Sequence, residues 1–449
     1  MTFERPNVSI GQSEGKLLAA SSNRNRAEQL RIAIFSVKYS PNLGDGLLSE
    51  CLEAELMSQL PCASVEAIDL AGRTEYVEGL GLRGTVLALL HHSPRPMRHL
   101  VVETLLGRKL RNKLQPLWRS KLRAADAVII GGGNLLSDMD LNFPLKLDAA
   151  MAEVRLSGLQ AAIFGVGVSD NWTERGEALF RRAFAQSELC AVSVREPRSA
   201  NIWSRRLGPV GVKEASIVHD PGVLASVHFP RGAKRQEGAQ RIGLGLTHPT
   251  ALKYHTEEKG ISASEHASWY VALARACLAR GWKLAMFTDG SPEDEAYLAR
   301  LRPKLEAVDP TGSIAFRPRF RDPADMAGFV SHLDLLIAHR LHANMAAYSY
   351  AIPQIGLAWD VKLKSFLAQV GRPECIRTVG TDTVDSVVEL AVRQLADRVD
   401  LVRHRTILAQ ARNDVANLGA ALMASNLRSS IRRPVDMLAD GRMSPATAP

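Results

Sequence analysis

The stretch HRLHAN (339–344) follows the apolar run LLIA (335–338) and precedes the small residues of ANMAAYSYA. Side chains two apart on an extended segment point the same way, so Arg340 and His342 share one side. Two cations set before a helix N-terminus, itself attractive to negative charge, make a site for a multiply charged anion. Arginine matches carboxylate and phosphate oxygens through its planar fork, and histidine can move a proton near neutral pH. The same half of the chain carries His248 after the run IGLGLT (242–247), Asp289 in FTDG, and Asp360 and Lys362 in AWDVKLKSF.

The first half offers a second group. Asn42, Gly44 and Asp45 lie in PNLGDG, between a β-rich run and an amphipathic helix. Asp45 is expected to cap that helix and Gly44 to supply a positive φ. If the helix end faces a cleft, Asn42 and Asp45 can also hold sugar hydroxyls or orient a catalytic group. Gly131, Gly132, Gly133 and Asn134 follow the run AVII (127–130), where glycines bare backbone N–H groups to an anion or another ligand. Arg195 in VSVREPRSA ends a strand and either pairs with a carboxylate or receives an anionic substrate. Asp220, before Pro221, reads as a turn residue.

Eight short runs position these residues: 31–37, 127–130, 161–168, 190–196, 242–247, 283–289, 335–338 and 352–358. Several are apolar throughout, as strands covered on both faces are, and they alternate with helical patterns. The fold class is therefore α/β with mainly parallel sheets. At 449 residues, two domains plus tails are expected. The composition shift in HFPRGAKRQEGAQR (228–241) divides a first domain, 29–232, from a second, 233–426, with loose ends over 1–28 and 427–449. Such sheets bind ligands beyond the carboxyl ends of their strands, so a cleft between two similar halves is the expected site.

With 46% hydrophobic and 23% charged residues, the chain has the composition of a soluble globular protein, and no apolar run reaches membrane-spanning length. A cytoplasmic location is expected. The five cysteines form no C-x-x-C pair, and neither a metal nor a cofactor is expected. Residues 95–123 hold nine Lys/Arg against the single acid Glu103, a local +8. With Leu, Val and Trp118 interleaved, this segment is either a solvated helical face or a contact for an anionic membrane surface, which would make the protein peripheral at the inner face of the cytoplasmic membrane. No nucleic-acid motif accompanies the charge.

In order along the chain, NLGDG (42–46), VIIGGGNLL (128–136), FGVGV (164–168), VSVREPRS (192–199), HDPG (219–222) and HRLHANMAAYSYAIPQIGLAWDVKLKSF (339–366) resemble the polysaccharide pyruvyl transferase family. The last block is the most specific. Gly46 stands where the family usually has a second acid. The resemblance implies two Rossmann-like domains facing across a cleft, as in GT-B glycosyltransferases. It also implies phosphoenolpyruvate as co-substrate, giving a pyruvyl group to hydroxyls of a bacterial surface or exopolysaccharide or its lipid-linked precursor, as a cyclic ketal with release of phosphate. On that reading Arg340 and Arg195 bind the donor with Lys362, His342 shuttles protons, Asp45 assists, and Asn42, Gly44, Gly131, Gly132, Gly133, Asn134, His248 and Asp360 line the substrates. A GT-B nucleotide-sugar glycosyltransferase and a non-catalytic member of a polysaccharide-assembly complex are the alternatives.

Overall fold

The computed structural model describes residues 30–76, 95–232, 238–249, 262–358 and 361–439. The expected tail 1–28 and Asp360 lie outside these residues. Strands β1 (Arg31–Ser36), β2 (Ser64–Asp69), β3 (Ala127–Gly131), β4 (Ala161–Val166), β5 (Leu189–Val194) and β6 (Ser216–Ile217) form one sheet in the order β2-β1-β3-β4-β5-β6. The second sheet joins β7 (Arg241–Gly245), β8 (Lys283–Phe287), β9 (Ile314–Phe316), β10 (Leu335–Ala338), β11 (Gln354–Leu357) and β12 (Ile376–Arg377) in the order β12-β11-β10-β7-β8-β9. Every strand pair in both is parallel. β3, β4, β10 and β11 are buried along their whole length, which is why they read as continuous apolar runs.

Both orders have a switch point, between β1 and β3 in the first sheet and between β7 and β10 in the second. Crossovers leave such a point in opposite directions and open a crevice at the strand ends. The segments after β1 and β3 carry Asn42–Asp45 and Gly132–Asn134, and those after β7 and β10 carry His248 and Arg340–His342. Topology thus gathers residues that sequence separates by up to 300 positions.

Helix α1 (Leu43–Gln59) locks the two halves together. Asn42 is its N-cap, accepting from the Gly44 N–H at 3.2 Å, while Asp45 sits in the first turn, so the expected cap by Asp45 is corrected. Leu43, Leu47, Leu48 and Cys51 leave the first sheet and share a core with Phe287, Ala338, Met345 and Tyr348 of the second half. Each fully buried leucine there contributes about 1.5–3 kcal/mol. The Leu43 N–H donates to the Asp289 carbonyl at 2.9 Å, a backbone bond between the halves.

The basic segment is nearly one rod: α2 (Arg95–Lys109), a π-turn (Leu110–Leu114) and α3 (Gln115–Leu122). Leu110, Leu114, Trp118 and Leu122 recur every four residues and pack into the first core. A four-residue repeat drifts around an ordinary helix, and the wider π-turn takes up the drift. The remaining helices include α4 (Asn142–Leu156), α5 (Glu174–Ala185), α6 (Pro197–Leu207), α7 (Ala263–Ala279), α8 (Pro292–Glu306), α9 (Pro323–Val330), α10 (Leu341–Ser349), α11 (Val361–Gln369) and α12 (Val384–Asp397).

The last helix, α13 (Leu401–Ala439), crosses back to the first half. Val415, Leu418 and Leu422 pack with Ile32, Ile34 and Phe164 beneath the first sheet. Asp414 accepts from the His219 N–H at 2.8 Å, and Arg412 Nε donates to the buried Glu55 at 2.9 Å. The sequence division assigns 233–426 to the second domain, whereas α13, which begins within that range, packs on the first sheet. Residues from 427 to 439 continue the helix rather than forming the expected loose end, and 440–449 lie outside the described residues.

Candidate active site

His342 and Gly44 mark where the halves meet. A Cβ built on Gly44 would lie 1.9 Å from His342 Nδ1, so the imidazole occupies the space of the missing side chain. Gly44 has no positive φ, and close approach replaces the expected turn role. His342 opens α10 and is buried, and its Nε2 has no hydrogen-bond partner among the described residues. Burial, and then the positive charges of Arg195, Lys362 and Arg340, push its pKa down to about 3. At neutral pH it is an uncharged base held among cations.

Arg195 reaches the same place from the end of β5. It is 5% exposed, its Nη1 lies 3.5 Å from Asp220 Oδ2, and its Nε has no partner among the described residues. A Cβ on Gly167 would lie 2.6 Å from Arg195 Nη2 and 2.7 Å from Asn134 Oδ1, so this glycine makes room for both. Asn134 in turn donates to Ser169 at 2.9 Å. Asp220 holds the following 3-10 turn by accepting from the Gly222 N–H at 3.2 Å, so it combines its expected turn role with that of counter-ion.

Asp45 lies on the first-half side, and a Cβ on Gly133 would be 3.5 Å from its Oδ1. Burial raises its pKa to about 6, against the opposing pull of Ser40, Arg73, Arg195 and Lys362. Asp289 faces it from the second half. Burial raises its pKa to about 7, Arg340 lowers it, and Asp294 and Asp45 raise it further. Its Oδ2 is buried with no partner among the described residues. The site therefore holds a neutral imidazole beside carboxyl groups that titrate close to neutrality.

Two expectations change on this geometry. Arg340 Nε and Nη2 donate to Asp294 Oδ2 at 3.1 and 2.5 Å, so its charge is balanced by a buried carboxylate. Asp294 Oδ1 accepts from the His248 N–H at 2.7 Å, which ties the His248 backbone to the same carboxylate as Arg340. The glycine cradle is also partly spent: the Gly132 N–H donates to Phe164 O at 3.1 Å, and Gly131 belongs to β3. Gly132 and Gly133 have φ of +71° and +70°, the left-handed region where glycine is favoured. α4 does not begin until Asn142, so the loop does not run directly into a helix. Asp294 was not legible as Arg340's partner, because in SPEDEAY it reads as one of several acids in a helical first turn.

Among the described residues no group of three His, Cys, Asp or Glu side chains is placed to hold a metal ion, and no helix is long and apolar enough to cross a membrane. The family model for polysaccharide pyruvyl transferase matches residues 42–361. This chain belongs to that family. Among curated proteins none matches it. A protein from Listeria monocytogenes described as a UDP-N-acetylglucosamine 2-epimerase is similar in structure, with a TM-score of 0.53 at 11% identity, over 94% of this chain and 100% of that one. The UDP-GlcNAc 2-epimerase from Neisseria meningitidis, bound to UDP-GlcNAc, gives 0.50 at 10% identity, over 88% and 100%. These likenesses show the fold, the GT-B arrangement of two Rossmann-like domains. The motif glycine Gly44 thus has a physical reason in this chain, the seat of His342. Gly46 has one too, since a Cβ there would lie 2.6 Å from Tyr76 and 2.9 Å from both the Lys38 carbonyl and Pro323. The larger acid usual in the family does not fit this packing.

Proposed function

We propose that this transferase moves the pyruvyl group of phosphoenolpyruvate to two hydroxyls of a sugar, forming a cyclic ketal and releasing phosphate. The observation that carries the reading is the uncharged, buried His342 with its orphan Nε2, set between Arg195 of one half and Lys362 of the other. A donor with both a carboxylate and a phosphate needs cations on more than one side, and Arg195 and Lys362 supply them. Arg340 contributes through its field on His342 and by fixing the start of α10. No cofactor or metal enters the scheme.

In the first step a sugar hydroxyl oxygen bonds to C2 of the donor, the C2–C3 double bond takes a proton at C3, and the hydroxyl proton leaves to a base. In the second step the other hydroxyl bonds to C2, its proton passes to the carboxylate that gave its own to C3, and the C2–O bond to phosphate breaks, the leaving oxygen taking the proton that the first-step base holds. His342 is the base, and Asp45 or Asp289, which hold their protons closer to neutrality, supplies the proton at C3. A bound anion raises the His342 pKa and helps it keep the proton it takes.

The test is the melting temperature of the full chain with and without phosphoenolpyruvate, with a panel of nucleotide sugars as control. A ligand bound only by the folded state adds about 2.7 kcal/mol at a hundredfold excess over its dissociation constant. A rise with phosphoenolpyruvate that shrinks in Lys362→Ala supports the reading. A rise with a nucleotide sugar alone replaces it with glycosyl transfer.

The acceptor is read as lipid-linked, at an anionic membrane surface. Met97, Leu100 and Leu105 on α2 are exposed, and Arg108, Arg111 and Lys113 beside them have no acidic partner among the described residues. Other cations of the rod are paired, Arg119 with Glu153 and Lys121 with Glu66. Apolar side chains flanked by unpaired cations suit the headgroup region of an anionic bilayer. The full chain is expected to sediment with vesicles containing phosphatidylglycerol at low salt, and Leu100→Ser combined with Arg111→Gln to weaken that binding at least tenfold. Equal binding to neutral vesicles, or none to either, rejects it.

A further inference from the structure

Two successive residues at the end of β10 are anchored to the same helix, α8. The first anchor runs through histidines. His339 Nδ1 donates to the Leu357 carbonyl at 2.9 Å, which leaves its Nε2 to accept. The facing His266 Nε2, 3.4 Å away, then donates, and His266 Nδ1 accepts from the Tyr297 hydroxyl at 2.8 Å. The second anchor is the pair of Arg340 with Asp294, one turn before Tyr297 on α8, and Arg340 Nη2 also lies 3.4 Å from Ser291 Oγ.

Asp294 does more than balance a charge. A carboxylate that only neutralised an arginine would offer it both oxygens, whereas here Nε and Nη2 share Oδ2 and Oδ1 accepts from the His248 N–H. The backbone after β7 thereby orients the carboxylate, and the carboxylate orients the guanidinium. One fully buried side chain joins the segments that follow β7, β8 and β10, neighbours in the order β10-β7-β8. The Arg340 charge in turn reaches the cleft: it pushes down the pKa of His342 and of Asp289, while Asp294 acts on Asp289 in the opposite sense.

We propose that Asp294 is a positioning residue of the donor site, holding the Arg340 guanidinium in a fixed place and limiting how much of its charge the bound anion feels. The inference rests on the reading of this cleft as the phosphoenolpyruvate site. Charge that grips donor and released phosphate alike adds affinity without adding rate, so a restrained Arg340 leaves the product exchangeable. Arg195 and Lys362 remain the cations that meet the donor.

The experiment is a titration of the full chain with phosphoenolpyruvate at constant ionic strength, read by melting temperature. The amide of Asp294→Asn keeps an oxygen for the His248 N–H but turns a donor toward Arg340, which releases the positive charge. This variant is expected to melt lower than wild type without ligand, yet to bind phosphoenolpyruvate at least fivefold more tightly. Arg340→Gln leaves the Asp294 charge unopposed and is expected to weaken binding at least tenfold. Adding Asp294→Asn to it should restore the affinity to within threefold of wild type. A residue that only held the fold together could not restore binding in that background. The comparison also stands where Asp294→Asn alone does not fold, because the double variant leaves no unpaired buried charge. Weaker binding in Asp294→Asn, or no recovery in the double variant, overturns the inference and leaves the reading of the site intact. No rise with phosphoenolpyruvate in the wild type overturns both.

Discussion

His342→Ala is expected to lower kcat for pyruvyl transfer by about 10²–10⁴-fold, the usual contribution of a positioned acid or base. The melting-temperature rise with phosphoenolpyruvate should survive, since Arg195 and Lys362 remain. The pH dependence distinguishes this role from a structural one. With its pKa pushed down to about 3, His342 gives no inflection in kcat/KM between pH 5 and 8, while Asp45, near 6, does. Its effect on stability has a definite sign. A histidine whose folded pKa lies below its unfolded value stabilises the fold above about pH 6.5, and that stability is lost as the pH falls toward 3. His342→Ala should therefore flatten this part of the acid-unfolding curve. Activity within tenfold of wild type would remove His342 from the chemistry.

Arg195→Met is expected to be the most destabilising of the site substitutions, by about 3–5 kcal/mol, because it leaves a buried carboxylate without its counter-ion. Asp220 is 2% exposed, its pKa is already raised by burial, and Arg195 is what opposes that rise. Without the arginine its pKa rises further, so the difference from wild type should shrink as the pH is lowered and Asp220 takes a proton. Adding Asp220→Asn should recover part of the lost stability in urea unfolding. It should not recover the phosphoenolpyruvate response, since the guanidinium is still missing. Recovery of both would make Arg195 a purely structural residue.

The eight runs read from sequence as strands are β1, β3, β4, β5, β7, β8, β10 and β11, and the four that escaped are the edges of the two sheets. The reason is physical. A central strand is covered on both faces and must be apolar, whereas β2 alternates exposed and part-buried positions before its buried end, and β6 and β12 are two residues long. Edge strands are kept short and polar because a long apolar edge invites pairing with another chain. The departure of α13 was hidden for a related reason, since its apolar positions fit a helix equally well against either half.

The sequence by itself determined the α/β class, the family and the chemical types of the site, because apolar runs, motif order and the R-L-H triplet are local. It also singled out Arg340 and Arg195 as donor-binding cations, Lys362 beside them and His342 as the proton carrier. Only the tertiary structure decided which carboxylates stand beside those cations. Arg340 meets Asp294 across 46 positions, and Arg195 meets Asp220 across 25, pairings set by which strands lie near one another in each sheet. The role of Gly44 was decided in the same way, since a missing side chain gains meaning only when a residue 298 positions later fills its place. Local spacing encodes what a segment can do, and the low dielectric of a packed junction sets which of its charges and protons remain available.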